Sequence, residues 1–303
     1  TGGMYWLQTV TAVYLRLLGH EISNGGFVLD VNETPDPEEF EDAYMRYANA
    51  RVCPPRPAEK TYRVRGTKEP FYTLNVIDGI MSVSAVQKVA KQYQASITEY
   101  LNAVLLYSLL QKQEHDFHLR LRPVRIAMPV NLRRFFPSKT LRNFITMVYP
   151  SIDPRLGDYT FEEIVTQVHH YMRYYINSKF LRGDITTNAS TQRNPLIRIV
   201  PLFLKDFVVR QFYQRVQDKN SSAGLTNMGA IRVPDDMKPY LERFDIYMGI
   251  PYSQRTNCAI VSFEDTLTVN FASCIIEADV ERRFFQKLVE DGIPVTIESN
   301  REL

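Results

Sequence analysis

Apolar positions along this chain recur with two periods, and the switching between them sets the expected fold. Met4 to Leu18 carries Trp6, Val10, Val13 and Leu17 at three- and four-residue spacing, a helical stripe that Gly19 ends. That stripe is expected to pack on a sheet. Thr34-Pro35-Asp36-Pro37-Glu38-Glu39 supplies a capping side chain, first-turn prolines and carboxylates at the positive helix end, which predicts a helix to about Ala50. Val52-Cys53-Pro54-Pro55-Arg56-Pro57 fits neither period and reads as a stiff extended linker. The expected boundary falls there, with 1–57 a leading helix and linker and 58–303 the main unit.

Beyond the linker, strand-like runs alternate with helical ones. Strands are expected at Tyr72 to Ile77, Val124 to Pro129, Phe144 to Tyr149, Leu225 to Met228 and Phe244 to Met248. Cys258 to Phe263 and Leu267 to Ile276 read as a hairpin across Glu264-Asp265. Helices are expected from Ser82 to Gln94 and from Asp279 to Glu290, where Gly292 stops the second. Ser96-Ile97-Thr98-Glu99 and Thr160-Phe161-Glu162-Glu163 are capping boxes, opening helices to about Gln113 and Asn177. Asn194-Pro195 opens a long apolar helix that Pro201 should kink. Helices interleaved with strands, and a meander near the end, define an α/β fold with one mixed sheet covered by helices.

Composition narrows the classes without naming one. A chain of 303 residues with 45% hydrophobic content can bury a substantial core. A formal net charge of +2 gives no reason to expect nucleic acid or another polyanion as partner. The longest apolar run, Ala103 to Leu110, is far short of the ~20 residues of a membrane span. The opening residues lack a secretory signal pattern, and Cys53, Cys258 and Cys274 are dispersed with no CxxC spacing. A reduced, cytoplasmic setting is expected.

The candidate chemistry is sparse. His115 and His118 have H-x-x-H spacing but no third ligand nearby, so no metal site is expected. His169 and His170 lie ~100° apart on their helix and cannot share a task. Arg122, Arg125, Arg133, Arg134, Lys139 and Arg142 form a basic group that fits either phosphates or solvated strand ends. Thr226 taken alone reads as an ordinary strand threonine.

Longer motifs carry a resemblance. Thr226-Asn227-Met228, a loop with Pro234, then Asp245-x-x-x-Gly249-x-Pro251 resembles the T-S-W…P…D-F-G-W-G-x-P region of the acyl-CoA-dependent acyltransferases. That group includes chloramphenicol acetyltransferase, the plant BAHD enzymes, bacterial alcohol acetyltransferases and peptide-synthetase condensation domains. Pro129-Val130-Asn131-Leu132-Arg133 resembles their P-V-(D/N)-x-R segment, and Asn143-Phe144 the G-N-x that follows it. Phe271 to Glu277 sits where the fold's pseudo-symmetry places an inert copy of the catalytic motif. Thr1-Gly2-Gly3 resembles the tail of the motif H-x-x-x-D-G-T-G-G itself.

The resemblance implies a chloramphenicol acetyltransferase-like fold and the C-terminal portion of an enzyme moving an acyl group, acetyl above all, from a coenzyme A thioester to an alcohol. The base would be a histidine upstream of Thr1, in a preceding subdomain that is this chain's first partner. Thr226 and Asn227 would stabilise the oxyanion, Arg133, Arg134 and Gly229 would lie against substrate or coenzyme A, and Asp245, Gly249 and Pro251 would hold the fold. No bound cofactor is implied; acyl-CoA is a co-substrate, with a small alcohol as acceptor. The alternative is a non-catalytic, condensation-like module that binds a carrier protein or a small ligand.

Overall fold

The computed structural model describes residues 2–48, 59–70, 73–116, 120–193, 201–206, 220–250 and 254–301. Their strands are β1 (Asn75–Ser82), β2 (Val124–Asn131), β3 (Ile145–Val148), β4 (Ser151–Ile152), β5 (Ala223–Ala230), β6 (Thr256–Phe263), β7 (Thr266–Ser273) and β8 (Thr296–Ser299). All join one sheet in the order β3-β2-β5-β6-β7-β1-β8, with β4 also paired to β2. β5 runs parallel to β2 and to β6, and the remaining pairs are antiparallel. The mixed α/β sheet expected from the sequence is therefore present.

Side-chain alternation gives the sheet two faces. Val124, Ile126, Met128 and Val130 of β2, Leu225 of β5, Ile260 of β6 and Phe271 of β7 point into the main core. There they meet α3 (Val83–Gln92), α4 (Ile97–His115), α5 (Phe161–Tyr175) and α7 (Asp279–Glu290). Helix α4 is buried nearly all round, which is why its sequence shows no polar stripe. Each fully buried leucine on it, such as Leu101 or Leu105, contributes about 1.5–3 kcal/mol of burial. Both expected capping boxes form, Ser96 with Glu99 and Thr160 with Glu163. The opposite face carries a second, smaller core. Val261 and Phe263 of β6 pack there with Ile231, Val233, Met237 and Phe244, and with Ala12 and Leu15 of α1 (Gly2–Leu17).

Several expectations are corrected. Helix α1 turns the other way: Trp6, Val10 and Leu17 are exposed, while Gln8, Thr9, Ala12 and Leu15 are buried. The polar pair tolerates burial because its bonds are made. Gln8 Nε2 donates to the Arg232 carbonyl (2.6 Å), and Thr9 Oγ1 accepts from the Leu29 amide (2.9 Å). The helix expected from Thr34 to Ala50 breaks into a 3₁₀ turn, Pro37–Phe40, and the short α2, Ala43–Tyr47. Asp36 caps the first and Asp42 the second. Between them the carbonyls of Glu39 and Glu41 accept from Leu141 and Thr140 instead of continuing a helix.

Residues 244–248 are not a strand. The Phe244 carbonyl accepts from Thr268 Oγ1 (2.8 Å), and the Ile246 amide donates to Asn270 Oδ1 (3.1 Å). Side chains of β7 thus hold the segment across the sheet face, where no ladder can form. The short β4, α6 (Ser178–Arg193) and the edge strand β8 had no sequence counterpart. The first strand begins at Asn75, and Tyr72 lies outside the described residues. So do Pro251, the whole proline linker from Val52 to Pro57 with Cys53 and its expected boundary, and most of the helix expected after Asn194.

Candidate functional site

Strand β5 carries the two residues singled out for oxyanion chemistry, and its geometry separates them. The strand is anchored at its start. The Ser222 amide donates to the Arg125 carbonyl (2.7 Å), and the Gly224 amide donates to Asn257 Oδ1 (2.8 Å). Its register with β6 runs Gly224↔Asn257, Thr226↔Ala259 and Asn227↔Ile260, then shifts by the pair Ala230↔Ser262. Gly229, at φ +74°, sits in that bulge.

Thr226 and Asn227 are adjacent, so their side chains project to opposite faces. Thr226 shares the face of Ala259 and the second core; it is half-buried. Among the described residues its hydroxyl has no hydrogen-bond partner. Asn227 faces the helix layer, where Nδ2 donates to Thr98 Oγ1 (2.8 Å) on α4 and Oδ1 accepts from the Gly229 amide (2.8 Å). The two side chains do not converge on one atom. Thr226 keeps an unpartnered hydroxyl among the described residues, while the Asn227 carboxamide is held by Thr98 and Gly229.

The end of β2 lies on the same edge of the sheet, because β2 and β5 are parallel. The N-terminus of α1 reaches the loop that follows it: a Cβ added at Gly2 would collide with the Leu141 carbonyl. Asn131 ends β2 and caps the next turn, accepting from the Arg133 amide (3.1 Å). The Arg133 guanidinium then closes the loop, donating to the carbonyls of Thr140 (2.7 Å) and Arg142 (2.6 Å) beside the Phe144 ring. Both bonds come from Nη2, while Nη1 reaches Asn131 Oδ1 (3.4 Å) and Nε is buried without a partner among the described residues; Arg133 is a clasp for this loop with one donor left over. Arg134 is exposed, and Lys139 pairs with Asp36 (2.9 Å). Arg122 and Arg125 stand at the other end of β2. Eight residues at ~3.3 Å each put the two groups roughly 25 Å apart. The basic group is therefore split and forms no single phosphate site.

A polar network secures the segment that follows β5. Asp245 accepts from Arg243 Nε (2.9 Å) and Asn270 Nδ2 (3.1 Å). Asn270 Nδ2 also reaches Asp78 Oδ1 (2.8 Å), and the Tyr247 hydroxyl donates to Asp78 Oδ2 (2.9 Å). Burial holds the Asp78 carboxyl above the usual carboxylate range, against the pull of those two hydrogen bonds. Arg243 closes the set with two bonds to Glu298 (2.6 and 3.2 Å). The Gly249 carbonyl accepts from Asn257 Nδ2 (3.1 Å). Asp245 and Gly249 are thus placed in contacts that pin backbone to sheet. Asp78, Asn270 and Tyr247 had no sequence signal, since their partners lie 25 to 192 residues away.

None of the described histidines is hydrogen-bonded to β5. His169 Nδ1 lies 3.3 Å from Glu99 Oε1 on the helix side of the sheet, too poorly aligned for a hydrogen bond. His20 rests on the Tyr240 ring, His115 bonds the Gln111 carbonyl, and His118 lies outside the described residues. No cluster of three or more potential metal ligands occurs among the described residues, and no helix there is long and apolar enough to cross a membrane.

No family model and no curated protein matches this sequence. Solved structures do match its fold. Polyketide synthase associated protein 5 from Mycobacterium tuberculosis superposes with a TM-score of 0.55 at 12% identity, over 95% of this chain and 69% of that one. The epimerization domain from the third module of tyrocidine synthetase B gives 0.53 at 10% identity, over 95% and 66%. The TRI3 trichothecene 15-O-acetyltransferase from Fusarium sporotrichioides gives 0.50 at 14% identity, over 91% and 54%. The chain has the chloramphenicol acetyltransferase-like fold of condensation and acyltransferase proteins. Across such matches it spans between 23% and 69% of the other chain's length.

Proposed function

We propose that this chain forms the C-terminal part of an acyltransferase that moves an acyl group from a coenzyme A thioester to an alcohol. One observation carries the reading. In an acyltransferase-type fold, a half-buried threonine hydroxyl midway along a parallel strand, just before its bulge, has no partner among the described residues, on the face where α1 packs. In the proposed reaction a histidine from a preceding segment takes the alcohol proton, and the oxygen attacks the thioester carbonyl. Thr226 donates to the oxyanion so formed. Its collapse expels the thiolate, which takes the proton back from the histidine.

Two further features support a preceding subdomain. Trp6, Leu7, Val10, Tyr14 and Leu17 leave an apolar stripe along α1 in solvent, and Met147 and Met228 add to the exposed apolar surface at the ends of β3 and β5. The loop beside Gly2 is where the tail of the H-x-x-x-D-G motif would enter. The chain spanning 54% of an acetyltransferase of the same fold accords with this.

In the full-length protein, Thr226→Ala should lower kcat about 10- to 1000-fold with the KM for acyl-CoA nearly unchanged, since the charge appears only in the transition state. Thr226→Ser should keep most activity. A folded Thr226→Ala protein with normal kcat removes Thr226 as the oxyanion donor. Absent turnover in the full-length protein, together with saturable carrier-protein binding, establishes the non-catalytic, condensation-like reading in its place.

A further inference from the structure

Asn227 neighbours Thr226 in sequence, yet it faces the helix layer and both ends of its carboxamide are engaged. Nδ2 receives no help from the sheet; it donates 2.8 Å to Thr98 Oγ1, across 129 residues of sequence. Oδ1 accepts 2.8 Å from the Gly229 amide, two residues on. Between Asn227 and Ala230 the β5–β6 register shifts, and Gly229 adopts φ +74° with open space where its side chain would be. The glycine is required there by backbone conformation and not by crowding.

The other end of the contact is rigid. Thr98 lies in the first turn of α4, which its capping box and nearly complete burial hold in place. The Thr98 carbonyl is further tied by Asn102 Nδ2 (2.8 Å). The bulged end of β5 is thus bonded to the first turn of α4 through one carboxamide.

We propose that Asn227 and Thr98 form a latch that positions Thr226. By fixing the bulged end of β5 against the N-terminus of α4, the latch sets the direction of the Thr226 hydroxyl on the opposite face. The inference rests on the oxyanion role given to Thr226. Asn227 and Thr98 are positioning residues and touch no reacting atom. A shift of the strand end by a fraction of an ångström reaches Thr226 directly, since one peptide unit separates the two residues.

The test combines kinetics of the full-length protein with amide exchange. Thr98→Val is nearly isosteric and removes only the hydroxyl. It should lower kcat roughly 10- to 100-fold, as misplacement of a reacting group does, and leave the acyl-CoA KM within about twofold. Thr98→Ser should restore most of kcat. Exchange of the Gly229 amide should quicken about tenfold in Thr98→Val and again in Asn227→Ala. The Thr98→Val/Asn227→Ala double variant should lose no more kcat than Asn227→Ala alone, because both remove one latch. If Thr98→Val does not fold, Asn227→Ala supplies the same kinetic and exchange readouts. Unchanged kcat and unchanged Gly229 exchange in a folded latch variant overturn the proposal. A Thr226→Ala protein with normal kcat removes the oxyanion role instead, and Gly229 exchange then still decides whether the latch exists.

Discussion

Gly79 offers a measurement that depends on packing alone. It lies in β1, between Val269 of β7 and Ile297 of β8, with its α-carbon turned toward α7. A methyl group there would stand 2.7 Å from Phe285 Cζ and 2.9 Å from Cδ1, and closer still to Cε1. Carbon–carbon contacts are comfortable at about 3.5–4.0 Å, so the ring would have to retreat by roughly 1 Å or more. Neighbouring rings oppose that retreat, and the room left to it is a cavity that Phe285 lines with Ile77, Val289 and Ile297. Phe285 is buried and meets Phe271 and Phe284 edge-on, at ring-centre distances of 5.6 and 5.4 Å.

The cost follows from those contacts. Overpacking of this kind costs about 1–3 kcal/mol, and two disturbed aromatic pairs add ~0.5–1.5 each. The smaller conformational freedom of alanine in the unfolded chain returns about 0.4–1 kcal/mol. Gly79→Ala should therefore destabilise by roughly 2–5 kcal/mol. In a protein of 303 residues that lowers the melting midpoint by about 3–8 °C. Thermal and urea unfolding followed by circular dichroism read the effect. Phe285→Leu, introduced into the Gly79→Ala protein, should recover part of the loss by making room. A Gly79→Ala protein melting within about 2 °C of wild type would refute the packing argument, and so would a failure of Phe285→Leu to recover anything.

Two further outcomes are expected. Glu281 is buried and accepts from Thr256 Oγ1 (2.6 Å); burial raises its pKa, with that hydrogen bond opposing. The folded protein then keeps the proton at pH values where the unfolded chain, titrating near ~4.3, has released it. Stability is full below that range and falls as pH rises through the folded pKa. Glu281→Gln should flatten this decline in a series of urea midpoints, and an unchanged slope would show that Glu281 is not its source. Arg133→Ala should cost about 1.5–3 kcal/mol by freeing the carbonyls of Thr140 and Arg142, with the acyl-CoA KM unaltered. A tenfold rise in that KM without loss of stability would return Arg133 to a phosphate-binding role.

What could be read in the sequence was local. The capping boxes at Ser96 and Thr160 span three residues each, and the β6–β7 hairpin turns within two, so spacing alone reveals them. Helix α6 stayed hidden because its buried apolar side chains among the described residues are Leu181, Ile185 and Ala189, in a stretch otherwise rich in threonine and serine. The face of α1 was misread for the opposite reason. Its large apolar residues point outward, and the inward Gln8 is satisfied by a carbonyl 224 residues away. Residues 244–248 have strand composition but cross the sheet, held by Thr268 and Asn270. At the candidate site the motif identified Thr226 and Asn227 together. Their separation follows from strand alternation, whereas the bond from Asn227 to Thr98 exists only once α4 is packed.

The topology explains why the long loops gather at this edge. β2, β5 and β6 run parallel inside an otherwise antiparallel sheet, so their C-terminal ends share one side. Parallel neighbours cannot be joined by a tight turn, and the chain must leave that side on long excursions before it returns. The excursion after β2 carries the loop that Arg133 clasps and that Gly2 abuts. The one after β5 carries the Asp245 network onto the second face. Both pass beside the end of β5, whose bulge frees the strand from its register at Gly229. An unpartnered hydroxyl at Thr226 would be a loss in a sealed core. At an edge bounded by two long excursions, with α1 on the same face, it remains available to a ligand. Gly2 itself lies against the Leu141 carbonyl, in the first of those excursions, and so stands on the sheet edge where β5 ends.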